Sequence, residues 1–256
     1  MKNAIKPSFK APLYIAWEVT QTCNANCLHC YSSSGAKMKD PDELDTTQAL
    51  ALIDQLADAG LLILAFSGGE PLVRKDIYSL IERAVEKNLV VNIASNGSLI
   101  NEKTASKLKR LGVRSITISL DAANEKMHDE FRNFNGLFKK ATNAIKLLVK
   151  HEIRVVVSFT PTIINYTEGS KVVDLAYKLG ANAVNMSEYV PAGRGTIEMS
   201  LPPKLLHNVI LEWIKMRKEY QDKMQIIWHD CRVALLVPAE DQDKYSGCGA
   251  GKLTAR

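Results

Sequence analysis

Leu62-Ile63-Leu64-Ala65-Phe66 is an unbroken apolar run, and Val90-Val91-Asn92-Ile93-Ala94 is a second run, interrupted only by Asn92. Between them Ile77, Leu80, Ile81, Ala84 and Val85 recur at the i, i+3, i+4, i+7, i+8 spacing that paints one apolar stripe along a helix. Two short buried runs around an amphipathic helix predict a strand–helix–strand unit, with Asp76 placed to cap the helix start.

The same alternation extends in both directions, with strands expected at 14–20, 62–66, 90–94, 115–120, 154–159 and 183–189 and helices between them. Asn101 is placed as an N-cap, and Gly112, Gly60 and Gly180 fall where helices should close. Right-handed crossovers would curl six such units into an α/β fold, a partial (βα)6 barrel of the TIM type, two strands short of the eightfold version. Ligands should then sit at the C-terminal ends of the strands. Residues 191–203, with Gly193 and Gly195, are the expected boundary, which divides a barrel over 12–200 from a C-terminal extension over 201–256. In that extension a helix at 203–220 puts Leu206, Val209, Ile210, Trp213 and Ile214 on one side to close the core.

Composition excludes several classes. The 256 residues are 46% hydrophobic and 24% charged, the balance of a globular protein rather than a disordered or collagenous one. A net charge of +5 is spread along the chain, and its densest group, Lys107, Lys109 and Arg110, reads as the solvated face of one helix, so no nucleic-acid partner is expected. No apolar run approaches the roughly 18 residues that span a bilayer, and residues 1–10 lack a signal-peptide core, so the expectation is a cytoplasmic protein with no membrane partner.

Chemistry concentrates directly after the first strand, in Cys23-Asn24-Ala25-Asn26-Cys27-Leu28-His29-Cys30. Three cysteines this close suit one metal centre better than a disulfide framework. Their thiolates can hold three corners of a cubane iron–sulfur cluster and leave its fourth iron open to a ligand. The competing reading is zinc, with His29 or Cys248 as fourth ligand, although no second C-x2-C knuckle is present.

That loop, together with Gly68-Gly69-Glu70-Pro71, Ser95-Asn96-Gly97 and Ser119-Leu120-Asp121 at the next three strand ends, resembles the radical S-adenosylmethionine (SAM) superfamily over roughly residues 12–195. The resemblance implies that Cys23, Cys27 and Cys30 hold a [4Fe–4S] cluster whose open iron chelates the amino and carboxylate groups of SAM. It implies that Gly68 and Gly69 let backbone approach the methionine part, that Glu70 accepts from its ammonium, and that Asn96 and Ser119 bond its ribose or carboxylate. Arg132 would pair with the carboxylate or form a surface ion pair; Asp121 would touch ribose or cap the next segment; His29 would lie by the adenine or face solvent. The implied chemistry is reductive cleavage of SAM to methionine and a 5′-deoxyadenosyl radical that abstracts hydrogen from substrate, an oxidoreductase-type reaction. It needs no acid–base pair, and the reductant would be a flavodoxin or ferredoxin.

Gly247-Cys248-Gly249-Ala250-Gly251-Lys252 resembles the opening of the SPASM auxiliary-cluster domain, with one cysteine present, so the sequence reads as a shortened piece of a longer chain. Cys231 has no motif around it and reads as a buried structural thiol. The SPASM resemblance implies a peptide or protein substrate, served by a separate recognition protein. The alternatives are a tetrapyrrole side-chain decarboxylase of haem synthesis or a non-catalytic metal-binding regulator. Arg194 would meet an anionic group or hold a turn.

Overall fold

The computed structural model describes residues 12–38, 40–228, 236 and 254–255. Each apolar run becomes a parallel strand: β1 (Tyr14–Glu18), β2 (Ile63–Ser67), β3 (Val90–Ser95), β4 (Ser115–Ser119), β5 (Arg154–Phe159) and β6 (Ala183–Met186). Two more strands join them, β7 (Gln225–Trp228) beside β6 and the two-residue β8 (Thr254–Ala255) beside β1. In the order β7-β6-β5-β4-β3-β2-β1-β8, strands β2 to β7 are added successively to one edge and β8 joins the other, beside β1; among the described residues no pairing joins β7 to β8, so the partial barrel is open. The six expected strands are all present, and β7 and β8 extend the sheet at its two edges.

The helices between strands are α1 (Thr46–Asp58), α2 (Ile77–Glu86), α3 (Glu102–Arg110), α4 (Glu125–Arg132), α5 (Leu137–Lys150) and α6 (Gly169–Lys178). They cover the outer faces of the strands, where Leu64, Phe66, Val91, Ile93, Ile116, Ile118, Val155 and Val157 are buried. Full burial of each such side chain stabilises the fold by about 1.5–3 kcal/mol. The stripe on α2 is buried as its spacing requires, and Asn101 caps α3 by accepting the Thr104 N–H at 3.0 Å. Asp76 does not cap α2 with its side chain; its carboxylate is taken by Arg74 at 2.7 and 3.0 Å and by the Thr46 hydroxyl at 2.7 Å, stronger partners than a frayed N–H.

Packing continues across position 200. A seventh helix, α7 (Pro203–Glu219), lays Val209, Ile210, Trp213 and Met216 into the same core, with Trp213 stacked on Phe159 of β5. Within the expected boundary of 191–203, Arg194 donates its backbone N–H to Cys30 O and its Nε–H to Cys27 O, so this stretch touches the loop after β1. Cys231 and Cys248 lie outside the described residues. No helix among the described residues is long and apolar enough to cross a membrane.

Candidate metal and cofactor site

The loop that follows β1 is fastened to the loop that follows β2 by a ladder that outlasts both strands. Ser67 O accepts from Val19 N at 3.1 Å, Thr20 O from Gly69 N at 2.8 Å, and Thr22 O from Glu70 N at 3.0 Å. This approach dictates the two glycines. A Cβ on Gly68, whose φ is +121°, would lie 2.3 Å from Thr20 O, and one on Gly69 would lie 2.4 Å from Thr22 O. The clearance they provide is for the cysteine loop itself, a physical reason different from the expected approach to cofactor. Gly69→Ala must push Thr22 and Cys23 away, so it is expected to cost about 1–3 kcal/mol and to lower iron uptake. Denaturant unfolding and iron analysis check this; wild-type behaviour in both would contradict it.

A cavity of about 390 Å³ opens at the C-terminal ends of the strands. Its wall brings Cys23, Cys27 and Cys30 together with His29, Gly68, Gly69, Asn96, Ser119 and Arg132. The three cysteines are free thiols, and Cys23 and Cys27 are only 7% exposed. Burial pushes the Cys23 thiol up to about 11, and it raises Cys27 as well despite Arg132 beside it. A bound metal reverses that protonation, because a coordinating thiol is deprotonated.

Among the described residues no three His, Cys, Asp or Glu side chains are grouped to hold a metal ion. A zinc bound at about 2.3 Å to each sulfur would draw the thiolates within roughly 4 Å of one another. Three thiols that line one cavity are soft donors, which suit iron–sulfur chemistry. The donor set therefore fits a cubane better than zinc.

His29 is half-buried and lines the cavity. Its ring stacks on Phe131 of α4, with centroids 4.3 Å apart, and its Nδ1 is buried without a partner. Burial lowers its pKa to about 4, so it is neutral near pH 7. Asn96 is fixed beside the cysteine loop, its Nδ2 donating to Asn24 Oδ1 at 2.8 Å while its Oδ1 accepts from Ser98 N at 2.9 Å.

Arg132 ends α4 and is no surface residue, since its side chain is 12% exposed. Its Nε and Nη2 both reach Asp121 Oδ2 at 2.6 Å, and its Nη1 lies 3.6 Å from Cys27 Sγ. Asp121 is fully buried behind the wall, accepting also from Thr160 N at 3.0 Å, and therefore neither lines the cavity nor caps α4, which Asn124 does. Glu70, the expected acceptor for the ammonium of SAM, is likewise not among the residues that line the cavity. It is wholly buried, accepting from Asn96 N at 2.7 Å, Ser95 Oγ at 2.9 and 3.1 Å and Leu72 N at 3.2 Å. Burial pushes it up to about 7 against the pull of those donors.

Sequence reasoning missed the floor of the cavity. Ser67, Ala94, Ser158 and Ser187 join Ser119 there, one small residue from each of five neighbouring strand ends. Each follows an outward-facing Phe66, Ile93, Ile118, Val157 or Met186, so period-two alternation was the available signal. A closed TIM barrel is filled at these levels by branched side chains, whereas small residues here leave room for a ligand. Ser187, Glu188, Tyr189 and Val190, from the segment after β6, form another side of the cavity.

The fold and site define a parallel α/β barrel with three free thiols on its rim beside a hydroxyl-lined cavity. The chain belongs to the radical SAM superfamily, whose family model matches residues 17–176. Members of that superfamily are enzymes whose cofactors are a [4Fe–4S] cluster and SAM. An AdoMet-dependent heme synthase from Methanosarcina barkeri is 35% identical over 209 residues, covering 82% of this chain and 60% of that protein. Mycofactocin maturase MftC from Mycobacterium tuberculosis is 31% identical over 249 residues, covering 95% of this chain and 61% of that protein. SuiB from Streptococcus suis, solved bound to S-adenosylmethionine and also to precursor peptide SuiA, shares the fold. The SAM-bound form has a TM-score of 0.77 at 17% identity, covering 93% of this chain and 58% of that one. The chain thus spans about three fifths of the length of these relatives.

Proposed function

We propose that this chain is the core of an enzyme that cleaves SAM reductively and removes a hydrogen atom from a peptide or protein. The observation that carries the reading is the placement of three free thiols of one rim loop around a single cavity shared with Gly68, Gly69, Asn96, Ser119 and Arg132. When bound, the cluster supplies one electron to the sulfonium of SAM, from which the hydrogen-abstracting 5′-deoxyadenosyl radical arises.

The chain's own residues hold and position. Cys23, Cys27 and Cys30 are the cluster ligands; His29, Asn96 and Ser119 contact SAM; and Arg132 faces its carboxylate. Asp121 acts through Arg132, and Glu70 acts through Ser95 and Asn96 by fixing the rim after β3. The stack of His29 on Phe131 fixes the loop just before Cys30.

The peptide preference rests on the names of MftC and SuiB and on the charge of the wall. Among the described residues that wall carries two guanidinium groups, Arg132 and Arg194, and Asp121 already neutralises the first. Such a wall suits a peptide better than a tetrapyrrole edged with propionates. The 35% identity to a heme synthase supports tetrapyrrole decarboxylation as the second reading. We further place the protein in the cytoplasm, reduced by a flavodoxin or ferredoxin and assisted by a separate peptide-recognition protein. The extension bearing Cys248 would carry an auxiliary cluster in a longer chain.

The test is anaerobic reconstitution with iron and sulfide, then SAM and dithionite. Formation of 5′-deoxyadenosine is expected; a colourless zinc protein that forms none would overturn the proposal. Incubation with candidate peptides and with iron coproporphyrin separates the two substrate readings.

A further inference from the structure

Two arginines flank Cys27, and they differ in charge balance. Arg132 reaches the sulfur, but its charge is cancelled by Asp121. Arg194, from the segment after β6, donates its Nε–H to Cys27 O at 2.8 Å and its backbone N–H to Cys30 O at 2.9 Å. It has no carboxylate partner among the described residues, and it lines the cavity.

The neighbouring glycine shows how tightly this segment is pressed on the cysteine loop. Gly193 has φ +63°, and a Cβ there would lie 2.3 Å from Tyr31 O and 2.6 Å from Cys30 O. At Gly193 no side chain fits between this segment and the carbonyls of Cys30 and Tyr31. The same segment supplies Glu188, Tyr189 and Val190 to the cavity wall, so the latch ties that side of the site to the ligand-bearing loop.

We propose that Gly193 and Arg194 form a latch on the cysteine loop, and that Arg194 is a positioning residue which retains the cluster and raises its reduction potential. The inference rests on the cluster reading above. A cubane held by three thiolates is anionic and becomes more so when an external reductant adds one electron. A guanidinium beside a ligand residue, with no carboxylate partner among the described residues, favours the more negative state, because net charge and hydrogen bonding are the levers that set cluster potentials. The two hydrogen bonds to Cys27 O and Cys30 O also hold the loop closed when a chelator competes for iron.

Wild type, Arg194→Lys and Arg194→Met are reconstituted anaerobically and compared by iron content, iron release to a chelator, and dye-mediated redox titration followed by electron paramagnetic resonance. Arg194→Met is expected to release iron about tenfold faster, from loss of a charge-assisted hydrogen bond. Its midpoint should shift to more negative potential, while Arg194→Lys stays near the wild-type midpoint. A Met variant with wild-type midpoint and iron release overturns the proposal, as does a Lys variant shifted as far as Met. Wild-type protein that takes up no iron overturns the cluster reading instead, and the latch with it.

Discussion

Reconstituted Cys27→Ala protein is expected to hold well under the four irons per chain of a cubane and to form no detectable 5′-deoxyadenosine from SAM. Cys27 is the most embedded of the three proposed ligands. Its sulfur meets Arg132, its carbonyl meets Arg194, and its neighbour Leu28 donates its N–H to Phe131 O at 3.0 Å. The loop around it is therefore held by the protein whether or not the sulfur is present, so the variant should stay folded while losing one corner of the metal site. Iron and sulfide analysis with chromatography of the nucleoside product checks this. A full cluster with retained cleavage would contradict the ligand assignment.

The second large effect is on the fold. Asp121→Asn leaves the Arg132 guanidinium 12% exposed and without its counter-ion, which should cost about 3–5 kcal/mol and lower the Tm by roughly 10 °C. Removing both charges, as in Asp121→Asn with Arg132→Met, should recover much of that loss. Burial works against ionisation of Asp121, but the guanidinium beside it wins and holds its carboxyl below the usual carboxylate range. The ion pair therefore stabilises the fold throughout the range above about pH 4 and is lost only as pH falls through that depressed value. Thermal unfolding at pH 7 and in acid measures both statements; a single variant costing under about 1 kcal/mol would show that the pair is not structural.

The architecture was readable where one chemical signal dominated. β2 to β5 announce themselves as β-branched or apolar runs, and α2 by its stripe. β7 was missed because Gln225-Ile226-Ile227-Trp228 is four residues long and follows a helix and turn without a glycine or proline to mark it. Asp76 was misread because a cap is a local inference, whereas Arg74 and Thr46 compete for it through space.

Within the site, cysteine spacing named the loop, but the roles of its supports depend on contacts between distant segments. Gly69 meets Thr22, Arg132 meets Asp121, Arg194 meets Cys27, and His29 meets Phe131. The row of small residues on the cavity floor required strand register, since Ser119 and Ser158 become neighbours only when β4 and β5 pair. Side-chain chemistry can be read from the chain, but the order in which side chains stand between ligand and core cannot.

The account turns on a cluster with one corner lacking a cysteine. Mössbauer spectroscopy of protein reconstituted with isotope-enriched iron, before and after SAM is added, tests that most directly. The expected result is a [4Fe–4S] spectrum in which one iron site alone changes its isomer shift when SAM arrives. A spectrum without a cubane, or one that SAM leaves unchanged, would contradict it.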